Sequence, residues 1–302
     1  LANTYIPHGV DKNKFFPITE DDMGKMRDIG GGTLKNDYEL LNQVKKDLFG
    51  ENQPKFLVFY NNRNIRRKMT SDVILAFKTF VNTLPENDRN DCVLLMHTSP
   101  VDDNGTDLPA VVKAIAPDCR VVFSSQKIDH VYLNYLYNLS DVTINISSAE
   151  GFGLATLESL MAGTMILATV TGGLQDQMGF IDDNGDYIKF NTDFGSNHDE
   201  TFQKCGDWAI PIFPKTRSLV GSPPTPYIFD DRVQWFEAAV KLTEIYEMGR
   251  EERKSRGKAG REFVMKSEIG MEAGEMSKRF INDMEVAFEN WKPCNRYHLY
   301  RV

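Results

Sequence analysis

No stretch of the chain approaches the roughly 18 consecutive apolar residues that a membrane-spanning helix needs, and the opening segment lacks the charged and apolar regions of a signal peptide. A soluble, cytoplasmic protein is expected. Cysteine is scarce: Cys92, Cys119, Cys205 and Cys294 are the only four in 302 residues, far apart and without C-x-x-C spacing. Zinc and redox motifs are therefore absent, no metal is expected, and free thiols in a reducing cytosol follow. Positive charge is also in deficit, with a formal net charge of −8 and a pI near 5.3. That balance argues against nonspecific adhesion to nucleic acid or anionic membrane, although a local basic patch can still bind phosphate. Neither an internal repeat nor a low-complexity tract is found. Leu1 stands where an initiating methionine would, so the chain is expected to be a fragment.

The length suffices for one large or two ordinary domains, and the apolar fraction of 41% is near the average for globular chains. Residues 1–54 are polar and broken by Pro7, Pro17, Gly30-Gly31-Gly32 and Pro54, with one helix-like stretch at 37–49. They read as a connector leading into a domain. At Phe56-Leu57-Val58-Phe59-Tyr60 the pattern changes to a continuous apolar run, the signature of a strand buried on both faces of a parallel sheet. Helix-like stretches at 72–84, 108–115, 130–138 and 154–162 then alternate with strand-like ones at 92–96, 120–123, 142–146 and 165–170. This order predicts βαβ units and an α/β, Rossmann-like doubly wound parallel sheet over residues 55–270. Residues 179–229 break the rhythm and contain Gly221-Ser222-Pro223-Pro224-Thr225-Pro226, so a long insertion loop is expected there. Two helices, at 231–248 and 274–291, are expected to close the chain, with residues 271–302 forming a C-terminal helix and tail.

The most informative stretch is Ser147-Ser148-Ala149-Glu150-Gly151-Phe152-Gly153-Leu154-Ala155-Thr156-Leu157-Glu158. A strand ends, a loop with two glycines follows and a helix begins. Free amides and the positive end of a helix dipole then face the crevice at the strands' carboxyl ends, which makes an anion site. Thr156 occupies the third glycine position of a dinucleotide fingerprint, which weakens that reading. Glu150 falls at the mouth of the crevice and Glu158 about one turn into the helix. Carboxylates in those places accept hydrogen bonds from sugar and ribose hydroxyls, while helix capping and a solvated face are the bland alternatives. After the first buried strand comes Asn61-Asn62-Arg63-Asn64-Ile65-Arg66-Arg67-Lys68, four cations within six positions. Such a concentration in an acidic chain suits a diphosphate clamp, a solvated loop being the other reading. His97 ends the second strand, but a lone histidine is more often structural.

Arg63 with Lys68 five residues on, followed by Glu150-Gly151-Phe152-Gly153-Leu154 and Glu158, resembles the R-x4-K and E-x7-E motifs of retaining GT-B glycosyltransferases. These form the glycogen-synthase-like and sucrose-synthase-like group (glycosyltransferase group 1, family 4 type). Tyr5-Ile6-Pro7-His8-Gly9-Val10-Asp11 resembles the P-x-G-V-D segment by which such enzymes lead into their C-terminal domain. The resemblance implies a GT-B C-terminal, donor-binding domain with C-terminal crossover helices, and an N-terminal acceptor domain outside this chain. It implies that Arg63 and Lys68 neutralise the departing nucleoside diphosphate, that Glu150 contacts the transferred sugar and that Glu158 holds the ribose. The amides of Phe152, Gly153 and Leu154 and the Gly172-Gly173 turn would approach sugar and phosphates. The base is placed, by position only, near Gln126, Lys127 and Ile128.

Three departures from the family pattern stand out: Asn62 in place of glycine, Ala155 in place of proline, and Gln175-Asp176 where a glutamate is common. No two aspartates are separated by a single residue, so the D-x-D metal site of the other large glycosyltransferase fold is missing. The implied activity is transfer of sugar from a UDP-, GDP- or ADP-sugar, without a cofactor and with retention, to an acceptor the sequence leaves unnamed. A nucleotide-sugar epimerase on the same scaffold, a dehydrogenase-like dinucleotide binder and a non-catalytic nucleotide-binding module are the alternatives.

Overall fold

The computed structural model describes residues 4–190 and 194–292. The connector is more ordered than its composition suggests: β1 (Met26–Asp28) and β2 (Leu34–Asn36) pair antiparallel across the three-glycine turn, whose residues all have positive φ. Helix α1 (Asp37–Phe49) begins with a capping box in which Asn36 and Glu39 satisfy each other's backbone amides.

From there strand and helix alternate as the periodicity predicts: β3 (Phe56–Asn61), α2 (Thr70–Thr83), the single turn α3 (Glu86–Arg89), β4 (Cys92–His97), α4 (Leu108–Ile115), β5 (Val121–Ser124), α5 (His130–Leu139), β6 (Val142–Asn145), α6 (Leu154–Met161) and β7 (Met165–Thr169). The chain goes on through β8 (Ala209–Ile212), β9 (Thr216–Ser222), β10 (Thr225–Arg232), α7 (Trp235–Glu247), α8 (Arg250–Val264) and α9 (Ala273–Asn290). Six strands form one parallel sheet in the order β5-β4-β3-β6-β7-β8, the doubly wound arrangement expected of a Rossmann-like domain. Alternate residues of β3 divide between two cores. Leu57 and Phe59 join Val93, Leu95 and Leu157 on one face, while Phe56, Val58 and Tyr60 join Phe77, Leu94 and Met96 on the other. A strand covered on both sides needs apolar residues at every position, which is why the run at Phe56 is continuous.

Two expectations are corrected. The stretch 179–229 is not a structureless loop: β8 extends the sheet beside β7, and β9 and β10 form an antiparallel hairpin whose turn holds Pro223 and Pro224. The hairpin is exposed on both faces for most of its length, so no alternation of apolar and polar residues marks it. Among the described residues three helices rather than two follow, because α8 is almost entirely polar. It docks through two glycines and, at its end, Phe263 and Val264: a Cβ on Gly257 would lie 2.0 Å from the Gly163 carbonyl, and one on Gly260 2.8 Å from Leu160. The buried Arg253 of α8 reaches across to Asp141, 2.8 Å away, at the start of β6.

The final helix differs in kind. None of its residues is buried, and Phe280, Ile281, Met284, Phe288 and Trp291 are exposed, so its apolar face does not pack on the sheet of this chain. Among the described residues no helix is long and apolar enough to cross a membrane. Cys92, Cys119 and Cys205 are free, and burial pushes Cys92 and Cys205 up to about 12, which keeps them protonated. Cys294 and the rest of the tail from residue 293 lie outside the described residues, as do residues 191–193 of the expected insertion.

Candidate functional site

The strand order reverses between β3 and β6, and the loops leaving these two strands carry most of the residues singled out by the sequence. After β3 the chain passes Asn62 and Arg63 into a 3-10 turn, Arg66–Lys68, that ends in a left-handed Met69. The Ser148 amide, from the loop after β6, donates to the Arg67 carbonyl at 2.8 Å and joins the two loops. Lys68 is thereby folded inward, only 6% exposed. Its ammonium donates to Glu150 Oε2 and, at 2.7 Å, to Asn62 Oδ1. Arg67 donates to the Ala149 carbonyl at 2.6 Å and lies 3.6 Å from the other Glu150 oxygen. Burial pushes Lys68 below its ordinary range, and the Glu150 carboxylate partly opposes that shift.

Beyond Glu150 the loop enters α6 through Gly153, whose φ of +87° suits glycine and which provides no side-chain cap. The amides of Phe152, Gly153 and Leu154 meet no acceptor among the described residues, and they sit at the positive end of α6. Gly151 borders open space. The Gly172-Gly173 turn lies directly against this loop, the Gly173 amide donating to the Gly151 carbonyl at 3.1 Å. Gln177 supports it from below, its side-chain amide donating to the carbonyls of Phe152 at 2.8 Å and Gly153 at 3.0 Å.

In the second turn of α6, Glu158 accepts from the Tyr137 hydroxyl at 2.8 Å, and that hydroxyl accepts from Asn61 Nδ2, also at 2.8 Å. Burial raises the Glu158 carboxyl to about 7, with the tyrosine pulling in the opposite direction. Asp176, just past the glycine pair, is raised by burial to about 6 and accepts from the Tyr5 hydroxyl. The His8 ring meets Phe152 edge-on at 5.2 Å, so the Tyr5–Asp11 stretch runs along the rim of the site.

Arg63 stands apart from Lys68. Its side chain is 67% exposed, 3.7 Å from Asp102, and it lines a cleft of about 290 Å³ with residues 61–62, 97–99 and 124–127. Asn62 belongs to both places and joins them. Gln126 and Lys127 are in this cleft, whereas Ile128 packs against the core. Sequence reasoning singled out neither Arg67 nor Tyr137. The first sat inside the cation run, but Tyr137 is tied to Asn61 and Glu158 only by tertiary packing, which leaves no sequence signal.

This geometry, a helix start with unpaired amides beside a carboxylate and cations at a strand-order reversal, can be set against known proteins. Residues 43–185, just under half of the chain, match the family model described as Glycosyl transferases group 1. The matched stretch is thus similar to group 1 glycosyltransferase domains. Sucrose-phosphate synthase from Thermosynechococcus elongatus is 19% identical with a TM-score of 0.58, over 94% of this chain and 52% of that one. The C-terminal domain of a group 1 glycosyltransferase from Francisella tularensis is 18% identical with a TM-score of 0.52, over 85% of this chain and 96% of that one. The Anabaena HepE protein in complex with UDP-glucose is 13% identical with a TM-score of 0.58, over 94% of this chain and 57% of that one. These likenesses carry the fold, that of a GT-B C-terminal domain. The chain spans about half the length of the sucrose-phosphate synthase and HepE structures. No match was found among curated proteins.

The glycine pair beside the Glu150 loop has a clear steric reason. A Cβ on Gly172, whose φ is +47°, would lie 1.8 Å from the Glu150 carbonyl, and one on Gly173 would lie 2.6 Å from the Phe152 Cα. Gly172→Ala must therefore push the Glu150 loop away. We expect it to lower the midpoint of thermal unfolding by several degrees, on the order of the effects of backbone strain. Calorimetry of the purified variant would measure the shift, and an unchanged midpoint would contradict the close approach.

Proposed function

We propose that the chain is the donor-binding half of a retaining glycosyltransferase that takes a nucleoside-diphosphate sugar. The observation that carries this reading is the meeting of Lys68, Arg67 and Glu150 beside the unpaired amides at the start of α6, with Glu158 one turn further along the same helix. Cations and amides suit the diphosphate, Glu150 the hydroxyls of the transferred sugar, and Glu158 a ribose. The UDP-glucose held by the structurally similar HepE protein supports the same class of donor.

In the proposed reaction the bond between the anomeric carbon and the phosphate oxygen breaks early, and negative charge builds on the leaving diphosphate. Lys68 and the α6 amides would meet that charge, with Arg63 reaching it from the neighbouring cleft, and such cations and amides lower a barrier by electrostatic stabilisation. The acceptor hydroxyl attacks from the face the phosphate leaves, and its proton passes to a phosphate oxygen, so no protein base is required. The acceptor would be held by a further domain, onto which the exposed apolar face of α9 would dock.

Isothermal titration with UDP, GDP, ADP and NAD tests the reading. One nucleoside diphosphate should bind, and Arg63→Ala should weaken it by about tenfold, the value of a charge-assisted hydrogen bond. Binding of NAD alone would replace this reading with that of a dinucleotide-binding domain.

A further inference from the structure

Every residue of β9 and β10 is exposed or partly exposed except one, Asp231, which is 3% exposed. Anchoring a hairpin calls for an apolar side chain, whereas a buried carboxylate is costly unless its oxygens are met. Here they are met beside the site. Asp231 Oδ2 accepts from the Thr171 hydroxyl at 2.7 Å, and Oδ1 lies 2.9 Å from Arg217 Nε of β9, an ion pair without hydrogen-bond alignment. The Asp231 amide donates to the Ser148 carbonyl at 2.7 Å, and the Ser148 amide in turn to the Arg67 carbonyl. Ser148 stands two residues before Glu150, and Thr171 immediately before Gly172. Asp231 therefore ties together the loops that leave β6 and β7 and, through Ser148, the loop after β3 that carries Lys68. A second tie comes from the same insertion: the amide of buried Asn197 donates to Oε1 of buried Gln175, just past the glycine pair, at 2.6 Å. Neither Asp231 nor Asn197 lies in the stretch that carries the sequence motifs.

We infer that Asp231 is a positioning residue for the donor site: it fixes the spacing between the Glu150 loop and the glycine pair, so that Lys68, Glu150 and the α6 amides present one surface to the diphosphate. The inference rests on the donor-site reading above. Loops at the carboxyl end of a sheet are less firmly held by packing than the strands they leave, and binding groups that drift by about 1 Å lose their effect. Positioning and bare electrostatics predict opposite signs. Asp231 is an anion, so by charge alone its removal favours a diphosphate nearby, whereas the loss of a tie between the loops disfavours it.

The test is titration of wild type, Asp231→Ala, Thr171→Val and Thr171→Ser with UDP, GDP, ADP and inorganic pyrophosphate, at a temperature where circular dichroism shows each variant folded. Asp231→Ala and Thr171→Val should each bind the ligand that wild type takes most tightly about tenfold more weakly, the value of one hydrogen bond to a charged group. Thr171→Ser keeps the hydroxyl and should stay within about twofold of wild type. A role confined to stability would lower the unfolding temperature and leave affinity unchanged, so wild-type affinity in either of the first two variants would overturn the inference. Tighter binding by Asp231→Ala, the sign of a bare charge effect, would do the same, as would equal weakening in Thr171→Ser and Thr171→Val. Should Asp231→Ala fail to fold, the two Thr171 variants decide by the same criteria. If wild type binds none of these ligands, the donor reading fails and this inference with it.

Discussion

Lys68→Ala is expected to destabilise the fold by about 3 kcal/mol and to reduce the proposed sugar transfer ten- to a hundredfold, whereas Arg63→Ala should produce a similar loss of transfer with almost no loss of stability. The difference comes from burial. The Lys68 side chain is 8% exposed and its Glu150 partner 9%, so removing the ammonium strands a carboxylate with little water to replace it. Breaking such a pair from one side costs about 3–5 kcal/mol, and the lower end applies because Arg67 stays 3.6 Å from the other Glu150 oxygen. Arg63 faces solvent and its contact with Asp102 is 3.7 Å long, which places its contribution to stability between about 0 and 1 kcal/mol. Its loss matters only when a diphosphate is present, where a charge-assisted hydrogen bond is worth about 1.5–3 kcal/mol. Urea unfolding of both variants, paired with turnover on the donor that titration identifies, separates the two effects. Full turnover in Arg63→Ala would remove the clamp from the mechanism. Unchanged stability in Lys68→Ala would mean that the Lys68–Glu150 pair is not closed in solution.

Most of the central sheet was legible from the sequence because its strands are covered on both faces. Burial on two sides demands unbroken apolar runs, as at Phe56 and Cys92, and those runs stand out against amphipathic helices such as α2 and α4. What escaped has the opposite character. The β9–β10 hairpin holds together by its ladder while exposing Leu219, Tyr227 and Phe229, and α8 approaches α6 through Gly257 and Gly260. Neither leaves a hydrophobic period to find. The site divides in the same way. Glu150, Gly153 and Glu158 are adjacent in sequence and could be read as one loop and helix start. The Asn61–Tyr137–Glu158 chain joins three elements and the His97–Ser124 contact two neighbouring strands, and only the folded chain brings them together.

Glu158 shows how a residue suited to binding strains the fold that carries it. Its carboxyl is raised from the ordinary 4.5 to about 7 by burial, against the pull of the Tyr137 hydroxyl. In the unfolded chain the proton leaves near the ordinary value, so between those two values the folded state holds more protons than the unfolded one. Stability therefore falls as pH rises through this window, and above about pH 7 the full penalty is present, on the order of 3 kcal/mol. Glu158→Gln keeps an oxygen for Tyr137 but cannot ionise. It should be close to neutral at pH 4.5 and stabilise by up to about 3 kcal/mol at pH 8, as measured by chemical unfolding at the two values. The same substitution replaces a charged acceptor with a neutral one where the ribose is proposed to sit, so nucleoside-diphosphate affinity should fall by about tenfold. A variant that is more stable in base and binds more weakly fits a carboxylate retained for its ligand despite its burial. A stability change independent of pH would show that Glu158 is solvated in the folded protein, and unaltered nucleotide affinity would remove it from the ribose site.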